Sequence, residues 1–246
     1  MNTSSFCYYI YANVASDAIF YKIETFVLGV WMTFSLLVMD GQRRFMVAAA
    51  ATKTLSVGAS VMAIRPRIGG VLSQALTNPE LRGLGFENLA SGLDPKLALE
   101  ASLAKDNDLE TRQMALMNMS GDSAFRTGSE CLSMAGGVAE AGFAIIGNLL
   151  SGPDVIQSMR NKFRPVEGLA DLSKLAMEMM FAGQTAGGDS RGLQSAAILG
   201  RDMLAMGSDY SVAEIDIRVD EHETPLQELD RILKLALAEE RLRLLA

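Results

Sequence analysis

The chain has 246 residues, enough for one large domain or two small ones, and 49% of them are hydrophobic, so that a sizeable core is available. Its formal net charge of -7 argues against a nucleic acid as partner, because two negative surfaces repel each other. With two cysteines and one histidine far apart in the sequence, it lacks the ligands and spacing of a zinc site, and we predict neither a metal nor a cofactor.

Residues 1–31 differ from the rest of the chain because they are rich in aromatic side chains and show no clear period. The first basic residue is Lys22, so the positive start of a secretory signal is missing, and the apolar run 26–39 is shorter than the roughly 20 residues needed to cross a bilayer. We interpret residues 1–31 as an N-terminal extension that reflects either an early start codon or a leader or pro-segment. We expect one domain over residues 32–246, in a cytoplasmic protein without a membrane partner.

The predicted strands begin with an apolar pair near the start of this domain. Residues 33–39 form an apolar run that ends at the turn signal Asp40-Gly41, and residues 45–52 form a second run with little charge. Together they predict an antiparallel pair that is buried on both faces. Further strands are predicted over 57–61, 69–73, 112–119, 123–127, 143–146, 195–199 and 214–219.

The predicted helices are marked by their ends. Asn78 before Pro79 and Asp94 before Pro95 are N-cap signals, while Gly183 is predicted to end a helix. The predicted helices cover 79–89, 95–104, 153–163 and 169–181, and a final amphipathic helix begins at Thr224-Pro225. Strands and helices that are grouped in this way, rather than alternating, favour an α+β layered domain over βαβ units.

A glycine-rich polar segment runs from Gly187-Gly188-Asp189 to Gln194-Ser195 and leads into an apolar strand. Glycines let a backbone turn tightly and approach a ligand closely. Arg191 could place two hydrogen bonds on a carboxylate, or it could hold Asp189. The segment therefore has two interpretations, a ligand site or a tight turn that an Asp–Arg pair stabilises.

Thr33 is a candidate nucleophile at the beginning of the first strand. If Met32 is the true start, removal of this methionine leaves Thr33 as the first residue. Its α-amine, with a pKa of roughly 8, would then lie beside its own hydroxyl and could act as the base. The alternative is that Thr33 is merely a strand residue, since threonine is common in strands.

From about Thr33 to Leu235 the chain resembles the bacterial DUF1028 family, which is assigned to the N-terminal-nucleophile (Ntn) hydrolase superfamily. The most specific matches are Gly187-Gly188-Asp189 through Ser195-Ala196-Ala197, and Arg218-Val219-Asp220. The other matching pieces are Thr33-Phe34-Ser35; Lys53 with Ser56-Val57-Gly58; Arg65 and Gly69; Ser73-Gln74-Ala75 with Asn78-Pro79; Asp106 with Arg112-Gln113; Thr127-Gly128; and Gly147-Asn148-Leu149-Leu150.

This resemblance implies a four-layer αββα sandwich, in which two mostly antiparallel sheets lie between helix layers. It also implies proteins that begin at the residue numbered Met32 here, with threonine or serine close to that start. Ntn hydrolases use the side chain of the first residue as nucleophile and its amine as base, commonly on amide bonds. A lysine on an early strand commonly lowers the pKa of the nucleophile, and Lys53 is the matching candidate; the alternative is a surface lysine at a strand end.

Two functions follow as hypotheses. The first is an amidohydrolase that acts through Thr33 on a small amide or γ-glutamyl-type substrate, and the second is a catalytically inactive binding or assembly protein on the same fold. The partners expected are a small-molecule substrate and further copies of the chain. The candidate oxyanion-hole or substrate-binding residues are Arg65, Gly69, Gln74, Asn148, Gly188, Asp189, Arg191, Gln194 and Ser195.

Overall fold

The computed structural model describes residues 33–206 and 213–238, so that the predicted extension over residues 1–31 lies outside the described part. The strands in this part are β1 (Thr33–Met39), β2 (Phe45–Thr52), β3 (Met62–Arg65), β4 (Gly69–Ala75), β5 (Arg112–Asn118), β6 (Ser123–Thr127), β7 (Gly136–Glu140), β8 (Phe143–Asn148), β9 (Ser195–Asp202) and β10 (Ile215–Val219). The α-helices are α1 (Val57–Ser60), α2 (Glu80–Ala90), α3 (Pro95–Leu103), α4 (Asp154–Arg160), α5 (Leu169–Thr185) and α6 (Pro225–Ala238).

The strands form two sheets in which every neighbouring pair is antiparallel. The larger sheet has the order β10-β9-β2-β1-β8-β7, and the smaller has the order β3-β4-β5-β6. β1 therefore lies in the middle of the larger sheet, between β2 and β8. A residue at the start of β1 has a neighbouring strand on each side.

The core consists of three layers of apolar contacts. Along β1, Phe34 and Leu36 pack with α4, α5 and α6, whereas Leu37 faces the smaller sheet, because successive side chains of a strand point to opposite faces. Val71 of the smaller sheet packs with Leu81 of α2 in the third layer, which α3 also joins. The order helix, sheet, sheet, helix confirms the α+β class and the four-layer αββα arrangement, and it explains why the strands are apolar on both faces.

The segment 57–60 is helical, so the strand predicted there is wrong. Ser56 has a left-handed backbone (φ 57°) that turns the chain into α1, and the hydroxyl of Ser195 accepts a hydrogen bond from the N–H of Val57 at 3.1 Å. Gly58 lies so close to β9 that a Cβ atom would be 2.6 Å from the Cβ of Ala197. These long-range contacts decide the local structure, and the strand begins only at Met62.

Two further differences from the prediction involve glycine. Helix α5 continues past Gly183 to Thr185, because Gly183 lies against Met159 of α4, where a Cβ atom would be 2.9 Å from the Met159 Cγ. Strand β7 was not predicted, since its leading Gly136-Gly137 pair is typical of a turn. Gly183 thus permits close packing, and so does Gly137, where a Cβ atom would lie 2.6 Å from the Ile145 carbonyl oxygen.

Candidate functional site

Thr33 begins the central strand of the larger sheet and is flanked by Thr52 of β2 and Asn148 of β8. Its side chain has the same orientation as Leu37 and therefore faces the smaller sheet. The residue is only 1% exposed, and its Oγ1 atom has no hydrogen-bond partner among the described residues. A buried polar atom without a partner is rare in proteins and marks a candidate functional position.

Polar side chains from both sheets surround Thr33. The Gln74 Nε2 atom donates to the Thr33 carbonyl oxygen at 3.1 Å and to Gln113 Oε1 at 2.8 Å, while Gln74 Oε1 accepts from the Ser35 hydroxyl at 2.6 Å. All of these side chains are buried between the sheets. The hydrogen bonds tie the first residue of β1 to β4 and β5.

Gln113 is the centre of this network and was not among the predicted site residues. Its Oε1 atom accepts from Gln74 and from Asn148 Nδ2 at 3.1 Å. The two hydrogens of its Nε2 atom are shared among three acceptors, which are the carbonyl oxygens of Gly136 and Gly147 at 3.1 and 2.8 Å and the Thr127 hydroxyl at 2.8 Å. The signal that could have identified it is a glutamine at an inward-facing position of an apolar strand.

Asn148, one of the candidate oxyanion-hole residues, lies beside Thr33. The two residues are register partners in an antiparallel pair, so their Cβ atoms lie about 4.5–5.5 Å apart. Asn148 makes one side-chain hydrogen bond among the described residues, to Gln113, and this leaves one amide N–H for another acceptor. Thr33, Ser35, Gln74, Gln113 and Asn148 contain no ionisable side chain, so none of them can act as a base for Thr33.

The glycine-rich loop passes across the end of the sheet where Thr33 lies. On the β8 side, Asp189 forms an antiparallel bridge with Leu150; on the β2 side, Gln194 N donates to the Thr52 carbonyl oxygen at 2.7 Å. Since β1 lies between these two strands, the loop crosses the beginning of β1. Gly188 N donates to the Gly183 carbonyl oxygen at the end of α5, so this N–H group caps a helix and does not serve as an oxyanion donor.

Asp189 holds this loop from within. Its side chain is fully buried, with one oxygen accepting from the backbone N–H and the Nε of Arg191 at 2.9 and 3.3 Å. The other oxygen accepts from Arg191 Nη2 and from the backbone N–H of Lys53, each at 3.1 Å. The turn interpretation of the pair is therefore supported by these contacts, while the guanidinium of Arg191 remains partly exposed.

Ser195 and Gln194 connect the loop to its neighbours. The buried Ser195 hydroxyl donates to the Thr54 carbonyl oxygen at 2.6 Å and accepts from Val57, which fixes the start of α1. Gln194 is linked through its backbone, to Thr52 and to the N–H of His222. These contacts hold the loop in place and do not reach Thr33.

Three predicted residues do not join the buried network around Thr33. Lys53 follows Thr52, the register partner of Thr33, but its side chain is exposed. Gly69 lies five residues before Gln74 on β4, roughly 17 Å away, and it is required by packing because a Cβ atom there would be 2.1 Å from the Met117 carbonyl oxygen. Arg65 stacks over the ring of Phe86 at 4.6 Å, on the helix side of the smaller sheet.

A buried ion pair supports the strands that carry the two glutamines. Arg112 Nε donates to Asp106 Oδ2 at 3.0 Å, and Arg112 Nη1 donates to the Leu76 carbonyl oxygen just after β4. Burial raises the pKa of the Asp106 carboxyl, but hydrogen bonds from Arg112, Asn78 and the backbone N–H of Asp108 lower it further, so the net pKa is below its ordinary value. The pair is thus ionised at neutral pH.

Residues 33–206 and 213–238 show neither a membrane-spanning helix nor a metal site. None of the helices there is both long and apolar enough to cross a membrane. No group of three or more His, Cys, Asp or Glu side chains in that part of the chain could hold a metal ion.

Comparisons with known proteins agree with this architecture. The sequence model of one family, described as a family of unknown function (DUF1028), matches residues 33–229. The crystal structure of protein SPO2555 from Silicibacter pomeroyi, described as DUF1028, is 26% identical and has a TM-score of 0.75 over 87% of this chain and 93% of that chain.

More distant matches include Anbu from Hyphomicrobium sp. strain MC1 and from Yersinia bercovieri, at 13% and 10% identity. Their TM-scores are 0.42 and 0.43, and each match covers 83% of this chain and 94% of the other. A search of curated proteins finds no match. Because the DUF1028 match spans most of the sequence, this chain belongs to the DUF1028 family.

Proposed function

We propose that this protein is an amidohydrolase that uses Thr33 as an N-terminal nucleophile on a small amide or γ-glutamyl-type substrate. The observation that carries the proposal is the buried Thr33 Oγ1 atom, which has no hydrogen-bond partner in the described part of the chain although the amide groups of Gln74 and Asn148 lie next to this residue. Leaving a buried hydroxyl unpaired costs about 1–3 kcal/mol, a cost that a purely structural residue such as valine would avoid. Membership of DUF1028, with its resemblance to Ntn hydrolases, supports the same reading.

The proposed reaction proceeds through an acyl-enzyme. The Thr33 hydroxyl attacks the substrate carbonyl carbon while the α-amine takes the hydroxyl proton. The tetrahedral oxyanion accepts a hydrogen bond from the Asn148 N–H group that is not bound to Gln113. The protonated amine then gives its proton to the leaving amine as the C–N bond breaks. Water, deprotonated by the same amine, attacks the ester and releases the acid together with the free Thr33 hydroxyl.

The α-amine is essential to this route because the buried network around Thr33 is neutral. An N-terminal amine has a pKa of roughly 7.7–8.0 and can accept a proton near neutral pH, whereas a peptide nitrogen cannot. The proposal therefore requires a mature chain that begins at Thr33, with the domain starting at residue 32 or 33. Intact mass and N-terminal sequencing of the purified protein should show this species.

Substitution of Thr33 tests the nucleophile directly. In a panel of amides and γ-glutamyl compounds, we expect Thr33→Ala to abolish turnover and Thr33→Ser to retain part of it. Thr185→Ala, which changes an exposed threonine at the end of α5, is the matched control and should behave as wild type. Unchanged turnover by folded Thr33→Ala removes Thr33 from the mechanism.

A second candidate function is a catalytically inactive binding or assembly protein on the same fold. The exposed side chain of Lys53 favours it, because an exposed ammonium group is poorly placed to assist a hydroxyl that is buried between the sheets. A mature protein in which Thr33 stays in peptide linkage, with no turnover of any amide in the panel, would establish this alternative.

A further inference from the structure

We propose that Arg191 binds a free carboxylate of the substrate at the end of the sheet where Thr33 lies. The inference adds a substrate class to the proposed hydrolase function. It rests on that function in one respect, which is that the bound carboxylate belongs to a substrate. The compounds that fit are amides with a second, anionic group, as in γ-glutamyl amides. Arg191 is thus a specificity residue and not part of the bond-breaking machinery.

The position of Arg191 follows from the path of the loop. Ser190 N donates to the Leu149 carbonyl oxygen beyond β8, and Gln194 N donates to the Thr52 carbonyl oxygen at the end of β2. The loop between these contacts spans the two strands that flank β1, so Arg191 lies beyond the beginning of β1. A ligand that reaches Thr33 from this end of the sheet passes this residue.

The guanidinium of Arg191 is held in place and still has donors to offer. Its Nε–H and one Nη2–H are bound to Asp189, which leaves three of the five N–H groups without a partner among the described residues. The side chain is 36% exposed while that of Asp189 is 0% exposed. A planar group fixed in this way can bind a carboxylate with two parallel hydrogen bonds and little loss of side-chain freedom.

Asp189 does not occupy the site in place of a ligand. A carboxylate offers about four acceptor positions, and four hydrogen bonds from Lys53 N and from Arg191 already use them. Asp189 is therefore a support beneath Arg191, directed into the protein.

The local charge favours an anion although the whole chain carries a net charge of -7. The charge of Asp189 balances that of Arg191, and Lys53 adds an exposed ammonium that forms no ion pair within the described residues. The acidic side chains of 220–223 belong to the segment that meets the loop at Gln194, on the β9 side and away from β1. The two cations next to β1 thus face an incoming ligand.

Binding of glutarate tests the site without requiring turnover. Calorimetric titration of the full chain, as isolated, should show binding of glutarate and much weaker binding of its neutral analogue glutaramide. We expect Arg191→Gln to weaken glutarate binding about 10- to 100-fold, the effect of losing hydrogen bonds from a charged group. Arg218→Gln is the matched control, because Arg218 also pairs with an aspartate two residues earlier, Asp216, and should leave the affinity unchanged.

Each other outcome has a defined meaning. Absence of glutarate binding, equal binding of glutaramide, or unchanged affinity in folded Arg191→Gln overturns the inference. Arg191→Lys keeps the charge without the planar fork and should bind with intermediate affinity. Titration of Thr33→Ala separates the two proposals: if this variant still hydrolyses amides but binds glutarate through Arg191, the nucleophile is wrong and the carboxylate site stands.

Discussion

At the scale of single residues, the candidate site depends on the direction of three amide side chains. Gln113 Nε2 lies against the carbonyl oxygens of Gly136 and Gly147, which can only accept hydrogen bonds. Its Oε1 atom must therefore face Gln74 and Asn148, so that both of these residues direct N–H groups toward it. Backbone atoms of β7 and β8 thus fix the amide that is proposed to bind the oxyanion.

Replacement of Gln113 by methionine tests this role. Gln113→Met leaves the amides of Gln74 and Asn148 without their common acceptor, and we expect kcat to fall roughly 10- to 100-fold with little change in KM, which is a loss of about 1–3 kcal/mol. Gln42→Met, at an exposed glutamine, should retain wild-type kinetics. An unchanged kcat in a variant with wild-type circular dichroism would contradict the role.

At the scale of elements, helix α2 contains two glycines whose surroundings differ. A Cβ atom on Gly85 would lie 2.9 Å from Met114 Cε and 3.0 Å from Leu116 Cδ2, so this glycine permits the close approach of the helix to the smaller sheet. Gly83, two residues earlier, has no neighbouring atom within 4 Å of such a position. Of these two glycines, only Gly85 is therefore required for the contact between α2 and β5.

The two glycines should respond with opposite signs to substitution by alanine. We expect Gly85→Ala to destabilise the protein by about 1 kcal/mol, since the cost of overpacking exceeds the gain in helix propensity. Gly83→Ala should stabilise it by up to about 1 kcal/mol, because a helix interior with room for the methyl group favours alanine. Urea unfolding of both variants checks the pair, and destabilisation by Gly83→Ala would show that the propensity argument fails here.

At the scale of the whole molecule, the buried Asp106–Arg112 pair makes the stability of the fold depend on pH. The pKa of the Asp106 carboxyl is lower in the folded protein than in the unfolded chain, so the folded state binds this proton less readily. Its contribution to stability is fully present above the unfolded pKa of about 3.9 and is lost as pH falls through the lower, folded pKa. Acid should therefore weaken the support of β4 and β5.

Asp106→Asn tests this linkage. Since the buried Arg112 would keep only the more distant and exposed carboxylate of Asp108 as counter-charge, we expect a loss of about 3 kcal/mol at pH 7. The difference in unfolding free energy between wild type and variant should shrink as pH falls from 5 to 2. Asp154→Asn, at an exposed position in the first turn of α4, provides the control, and a pH-independent difference for Asp106→Asn would contradict the interpretation.

The sequence by itself determined the layered α+β class, the first hairpin and most helices. The reason is local: the runs 33–39 and 45–52 are apolar without interruption, and Asp94 caps α3 with hydrogen bonds to the first turn, so neighbours along the chain specify these elements. The glycine-rich loop was likewise recognisable from its composition.

Only the tertiary structure decided which residues meet. Gln113, Asn148 and Thr33 lie on different strands, and their hydrogen bonds depend on the stacking of two sheets that no local pattern encodes. The same holds for α1, where contacts with β9 override an apolar pattern that fits a strand equally well, and for Lys53, whose exposure depends on where β2 ends. Periodicity specifies which face of an element is buried, whereas long-range packing selects the partner of that face.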